Sequence, residues 1–180
     1  ALDMSPRMVE LARARAAIIR PDAPSRFLAA PAERTGLPDG GFDRVVGKGV
    51  LHHVDVGAAA LELRRVLRAG GRAAFFENQD RNPLLRAARG RLYGAPRLNW
   101  VGTADEHALT AADFAALART FDPLELTYPS FYCFEALSRA LGHRAHAPLK
   151  RLDDLIWRHL PSARPWSWHV LVRLERTEQP

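Results

Sequence analysis

Residues 1–8 read ALDMSPRM. Ala1 and Leu2 are apolar, Asp3 is an acid, and Met4 leads into Ser5-Pro6. Serine accepts a hydrogen bond from an orphan N–H of a first helical turn, and proline suits the first helical position because its missing N–H would be unpaired there. Met8, Leu11, Ala12, Ala16 and Ile19 then recur at helical spacing until Pro21 and Pro24. The stretch reads as the end of a strand tipping into a helix, with an acid at the tip.

The same order recurs downstream. RFLAA (26–30) is a short strand, and 32–41 is a loop with turn chemistry at Pro38-Asp39-Gly40-Gly41. FDRVVGKGVL (42–51) begins as a strand and runs into Gly47 and Gly49. A helix is predicted over 57–68, ended by Gly70-Gly71, because glycine adopts the left-handed cap conformation cheaply. RAAFFE (72–77) is an apolar strand ending in an acid. Such alternation predicts an α/β fold, a parallel sheet with helices on both faces. Ligands bind such sheets beyond the carboxyl ends of the strands. That places Asp3-Met4, Ala30 to Glu33, Gly47 to Gly49 and Glu77-Asn78 on one rim.

The second half is less regular. Residues 82–109 are rich in arginine, with a helix near 83–92. Thr110 is an N-cap for a helix over 111–119, and Asp113 completes a capping-box pattern. PLELTYP (123–129) is a strand, helices span 131–159, and WSWHVLVRLER (166–176) alternates as a closing strand. There is no internal repeat and no second domain, so 1–180 reads as one domain.

Composition narrows the classes. Of 180 residues 47% are hydrophobic and 26% charged, which is globular chemistry. No apolar run approaches the roughly 20 residues of a membrane-spanning helix. Cys133 is the only cysteine, which excludes an intramolecular disulfide and makes a reducing cytoplasm the default. His143 and His146 have no further ligands at metal-binding spacing, so no metal site is expected. The net charge is +6, but the cations are almost all arginines spread along an alanine-rich chain. This reads as compositional bias, with no specific nucleic-acid footprint. The densest run, Arg81, Arg86, Arg89, Arg91 and Arg97, faces an acidic partner, lipid headgroups or solvent.

Taken together, the pieces resemble class I S-adenosylmethionine-dependent methyltransferases, of the type 11-like methyltransferase domain. ALDMSPRMVELARARA resembles the family's second strand and following helix. APAERTGLPDGGFDRVVGKGVLHHV is similar to the adenine-side loop and fourth strand. LELRRVLRAGGRAAFFEN is similar to the next helix and fifth strand, and TADEHALTAADFAAL to a later helix start. The resemblance implies a Rossmann-like sheet whose last strand is antiparallel. It implies S-adenosyl-L-methionine as cofactor and methyl transfer to a small-molecule or lipid acceptor.

It also implies roles. Asp3 matches the acid that holds the ribose hydroxyls, and Met4 the residue that packs on adenine. The acid usual in the adenine loop is replaced by Pro31, a departure that leaves the Ala32 backbone or Glu33 to serve. Gly47 and Lys48 match the end of the fourth strand, near the methionine portion. His52 and His53 follow it; His53 is the candidate base, while His52 reads as a packed or solvated histidine of a helix-entry motif. Glu77, Asn78 and Tyr132 are candidate acceptor contacts. Residues 82–160 would form the substrate-side cover, whose arginines and aromatics suit a hydrophobic acceptor with an anionic group and peripheral contact with an anionic membrane. Plainer readings stand beside these: Asp3 favouring a helix N-terminus, Met4 as core, and Glu33 and Lys48 as solvated loop charges.

Two other classes remain open, an NAD(P)-dependent Rossmann enzyme and a non-catalytic subunit that keeps the methyltransferase fold. In the family, the first strand and its glycine-rich loop precede the segment that resembles 1–8. The expectation is therefore an N-terminally truncated sheet lacking its first, central strand. The strands on either side would leave unpaired edges or pair directly, and cofactor would bind poorly. The pattern sets no oligomeric state.

Overall fold

The computed structural model describes residues 1–83, 86, 107–131, 133–134 and 146–177. Strand β1 (Leu2–Asp3) leads through Ser5 into helix α1 (Pro6–Ile19), and the chain returns as β2 (Leu28–Ala29), parallel to β1. The Ser5 hydroxyl accepts from Met8 N at 3.4 Å, and Pro6 opens the helix as its sequence predicts. Of α1 only Val9 is buried, while Ile18 and Ile19 are exposed.

The larger sheet holds β3 (Phe42–Lys48), β4 (Leu67–Asn78), β5 (Leu124–Thr127) and β6 (His169–Glu175), in the order β3-β4-β6-β5. β3 and β4 are parallel, whereas β6 runs antiparallel to both neighbours. Helices α2 (Val56–Val66) and α3 (Ala111–Thr120) supply the apolar layer over the sheet. Beyond buried Leu67 at its start, the buried positions of β4 are Gly71, Ala73, Phe75 and Glu77, the period of two that puts alternate side chains on one face. Ala73 and Phe75 join Leu63, Leu117, Val170 and Val172 in the core. On the other face Arg44, Val46, Arg72 and Arg173 are exposed. Helix α4 (His146–His159) precedes a 3-10 turn (Pro161–Trp166) that leads into β6.

Caps fix the helix starts. The Asp55 carboxyl accepts from Ala58 N at 2.9 Å at the head of α2. Thr110 and Asp113 close the expected capping box on α3.

Several boundaries differ from the sequence expectation. The helix predicted over 57–68 ends at Val66, and β4 begins at Leu67 rather than Arg72. Gly70 (φ +70°) serves an irregularity at the start of β4, where the register with β3 jumps between Phe42 and Arg44. The last carbonyls of α2 are met instead by Arg176, which donates to Arg64 O at 2.9 Å and to Leu67 O. The closing strand starts at His169 because residues 161–166 coil into the 3-10 turn. Of the helix near 83–92, only Pro83 and Arg86 lie among the described residues, and 135–145 lie outside them.

Among the described residues, neither β1 nor β2 is hydrogen-bonded to β3. The direct pairing expected between β1 and β3 is therefore absent among the described residues.

Candidate cofactor and acceptor site

The carboxyl ends of the parallel strands carry Asp3, Ala30, Lys48 and Asn78. Asp3 Oδ1 accepts from Ser5 N at 2.8 Å, and Ala30 N donates to Asp3 O at 3.1 Å. The carboxyl group is thereby aimed by the same turn that starts α1. Met4, next to it, leaves 72% of its surface exposed. An acid and a solvent-facing thioether thus stand side by side at a strand tip.

The loop after β2 is fastened to α2. Glu33 Oε1 accepts from Asp55 N at 3.1 Å, so this carboxyl sits at the head of α2. Ala32 is half-buried. Thr35 donates to Glu62 Oε1 from its N–H (2.7 Å) and its hydroxyl (2.6 Å). Arg65 clasps Glu62 from the other side at 2.8 and 2.7 Å. These hydrogen bonds, led by Arg65, hold the Glu62 carboxyl well below its ordinary 4.5, at about 2, against the opposing effect of burial. Glu62 in turn, followed by Asp39, raises Arg65.

At the end of β3, Gly47 is a packing requirement. A Cβ there would stand 2.5 Å from the Phe75 ring. Lys48 is exposed, and Gly49 (φ +64°) turns the chain, its N–H donating to Phe76 O at 3.0 Å. The following turn is held by Glu77. One carboxyl oxygen accepts from Val50 N (2.9 Å) and Leu51 N (3.1 Å), and the other lies 2.7 Å from His52 Nδ1. Glu77 is 1% exposed and His52 7%. His53 is exposed, with its ring centroid 4.1 Å from that of His52.

The expected site residues therefore divide. Asp3 and Met4 stand together. Glu33 is committed to the head of α2. Glu77 faces the interior and organises the turn before α2. Asn78 Oδ1 accepts from Trp168 Nε1 at 3.0 Å, and its carbonyl accepts from Leu109 N at 2.9 Å. Tyr132 lies outside the described residues, as do Arg89, Arg91 and Arg97. The buried pair of Glu77 and His52 went unread in the sequence, yet a signal was there. Counting by twos from Ala73 and Phe75 puts residue 77 on the buried face.

The described parts of the second half are moored to one another by polar groups. Asn82 Nδ2 donates to Trp166 O at 2.9 Å and lies 2.9 Å from Cys133 Sγ. Buried Asp153, from α4, accepts from Cys133 N and Phe134 N. Arg81 reaches Tyr128 Oη at 3.2 Å and lies over the Phe114 ring. Among the described residues there is no cluster of three or more metal-ligating side chains. None of their helices is long and apolar enough to cross a membrane.

Residues 1–75 match the sequence model of a family described as a methyltransferase domain. No curated protein matches the chain. Among solved structures, it is similar to geranyl diphosphate C-methyltransferase from Streptomyces coelicolor A3(2), at 13% identity and a TM-score of 0.61. The alignment covers 98% of this chain and 61% of that one, so the chain spans less than two thirds of that protein's length. An S-adenosylmethionine-dependent methyltransferase from Thermotoga maritima is similar at 15% identity and a TM-score of 0.64, over 98% and 72% of the two chains. The [4+2]-cyclase SpnF is similar at 15% identity and a TM-score of 0.61, over 99% and 65%. These findings bear out the resemblance read from the sequence: the chain has the α/β fold of S-adenosylmethionine-dependent methyltransferases, with a methyltransferase-domain segment over 1–75.

Proposed function

We propose that the chain binds S-adenosylmethionine at the strand tips around Asp3 and contributes to transfer of its methyl group to a small-molecule acceptor. The observation that carries the reading is the Asp3–Met4 pair. The Asp3 carboxyl makes one hydrogen bond among the described residues, from Ser5 N, which leaves its second oxygen for a pair of neighbouring hydroxyls. The exposed Met4 thioether is suited to packing on a purine face. These residues fit the nucleoside half of the cofactor, with the Ala32 backbone beside the adenine edge. Gly47 and Lys48 border the methionine portion.

When bound, the cofactor supplies an electrophilic methyl group. The task left to the chain is alignment and exclusion of water. Asp3 and Met4 fix the nucleoside, and the Gly49–His53 turn, held by Glu77, bounds the reaction space. Exposed Arg81 and half-buried Tyr128 supply a cationic, aromatic wall suited to a hydrophobic acceptor carrying an anionic group, with Arg81 seated on the buried Phe114 ring. Geranyl diphosphate, bound by one of the similar proteins, has that chemistry.

Equilibrium titration of the full-length protein with S-adenosylhomocysteine and with NAD tests the reading. Saturable binding of the first and none of the second is expected. Asp3→Ala should weaken it by about tenfold or more, the loss of a hydrogen-bonded charged group of roughly 1.5–3 kcal/mol. The similar cyclase gives a second reading its footing: the fold also occurs in a protein named for another reaction. Absence of S-adenosylhomocysteine binding would favour that second reading, a different function on a methyltransferase fold.

A further inference from the structure

We propose that His52, held by Glu77, is the group that takes the acceptor's proton; the proposal rests on the methyl-transfer reading above. His52 follows the Gly49 turn at the carboxyl end of β3, on the strand-tip rim. Its Nδ1 lies 2.7 Å from a carboxyl oxygen of Glu77, whose other oxygen is occupied by Val50 N and Leu51 N. A carboxyl group in that position holds the proton on Nδ1, so Nε2 keeps its lone pair. Nε2 makes no hydrogen bond among the described residues.

A second observation concerns access to that edge of the ring. Gly49 has φ +64°, and a Cβ there would stand 3.4 Å from His52 Cε1, the atom bonded to Nε2. A Cβ there would sit in ordinary van der Waals contact with that edge of the ring, so Gly49, kept as glycine by its positive φ, places the turn directly beside Nε2. Among the described residues, the titratable groups facing His52 are Glu77 from β4 and His53 from its own turn. The exposed His53, the base expected from the sequence, forms a tilted wall beside the ring that does the work.

The proton balance is simple. The acceptor's lone pair forms the new bond to the methyl carbon, and the carbon–sulfur bond breaks with its pair going to sulfur. The acceptor's proton passes to His52 Nε2, and the imidazolium faces Glu77. An acceptor that carries no proton to lose would bypass this residue. Glu77 is a positioning residue in this scheme.

The test uses the full-length protein with S-adenosylhomocysteine as probe. Histidine ring nitrogens are read by long-range 1H–15N spectra, and ring reactivity by diethylpyrocarbonate modification mapped by mass spectrometry. The Nδ1–H form of His52 is expected, with its Nε2 resonance shifting on titration. At ten times Kd the probe should slow His52 modification by about tenfold, the factor expected from occupancy, and leave His107 and His159 unchanged. Glu77→Gln keeps an oxygen for Val50 and Leu51 and turns an amide N–H toward Nδ1, which should switch His52 to its Nε2–H form. Probe binding that leaves Nε2 unmoved and His52 unprotected overturns the proposal alone. Failure of the probe to bind overturns both the proposal and the methyl-transfer reading.

Discussion

Glu77, at the end of β4, joins His52 across a 2.7 Å contact, with the carboxyl fully buried and the ring keeping a small exposed edge. The same side chain also closes the Val50 and Leu51 N–H groups. The turn between β3 and α2 therefore depends on one residue contributed by the neighbouring strand. Glu77→Ala leaves three donors without their partner. Because leaving a buried donor unsatisfied costs about 1–3 kcal/mol, a loss of roughly 3 kcal/mol or more is expected in urea unfolding. Exposed Glu125→Ala is the control, with a change within about 0.5 kcal/mol. Equal midpoints for the two variants would refute the assignment.

Gly47 and Phe75 form a second lock. The Cβ of Gly47→Ala would lie 2.5 Å from the Phe75 ring, so β3 and β4 must shift or the ring must leave its place. Overpacking of this kind costs about 1–3 kcal/mol. Adding Phe75→Leu should recover part of that loss, giving a coupling energy of about 1 kcal/mol in a double-mutant cycle. Purely additive losses would mean that the glycine serves something other than the ring.

These two positions show where the sequence was legible and where it was not. Strand-helix order, the Ser5-Pro6 start and the Thr110–Asp113 box were readable because each depends on residues close in sequence. The end of α2 was not, because Arg176 reaches its carbonyls from more than a hundred residues away. Glu77 and Asn78 looked alike as polar strand-tip residues, but the pleat sends one to the core and the other to Trp168. The rim could be placed from topology alone. Which of its carboxyl groups remain available for a ligand depended on contacts such as Glu33 with Asp55 and Asp3 with Ser5.

Glu62 makes acid stability testable. Its carboxyl is held at about 2 in the folded chain, chiefly by Arg65 and further by Thr35, against an ordinary 4.5. A lowered folded value means that the unfolded chain takes up the proton first as pH falls. The stabilisation is present above pH 4.5 and is lost as pH drops from there through about 2. Glu62→Gln should therefore be less stable than the parent at pH 7 and show a flatter decline over that acid range. Urea midpoints measured at several pH values provide the check, and parallel curves for the two proteins would contradict it.

Arg176 carries the last expectation. Beyond the end of β6 it donates to Arg64 O at 2.9 Å and to Leu67 O, where α2 gives way to β4. The final carbonyls of a helix have no partner within it, and a cation there also meets the negative end of the helix dipole. Arg176→Met keeps much of the side-chain bulk but removes the donors, so stability should fall by about 1–3 kcal/mol. The loss should be local before it is global. Backbone amides at Val66 to Gly70 should exchange faster, while those of Phe114 and Leu117 in α3 should keep their relative protection. Uniform acceleration across α2 and α3 would instead make Arg176 a contributor to the whole core rather than the cap of one helix.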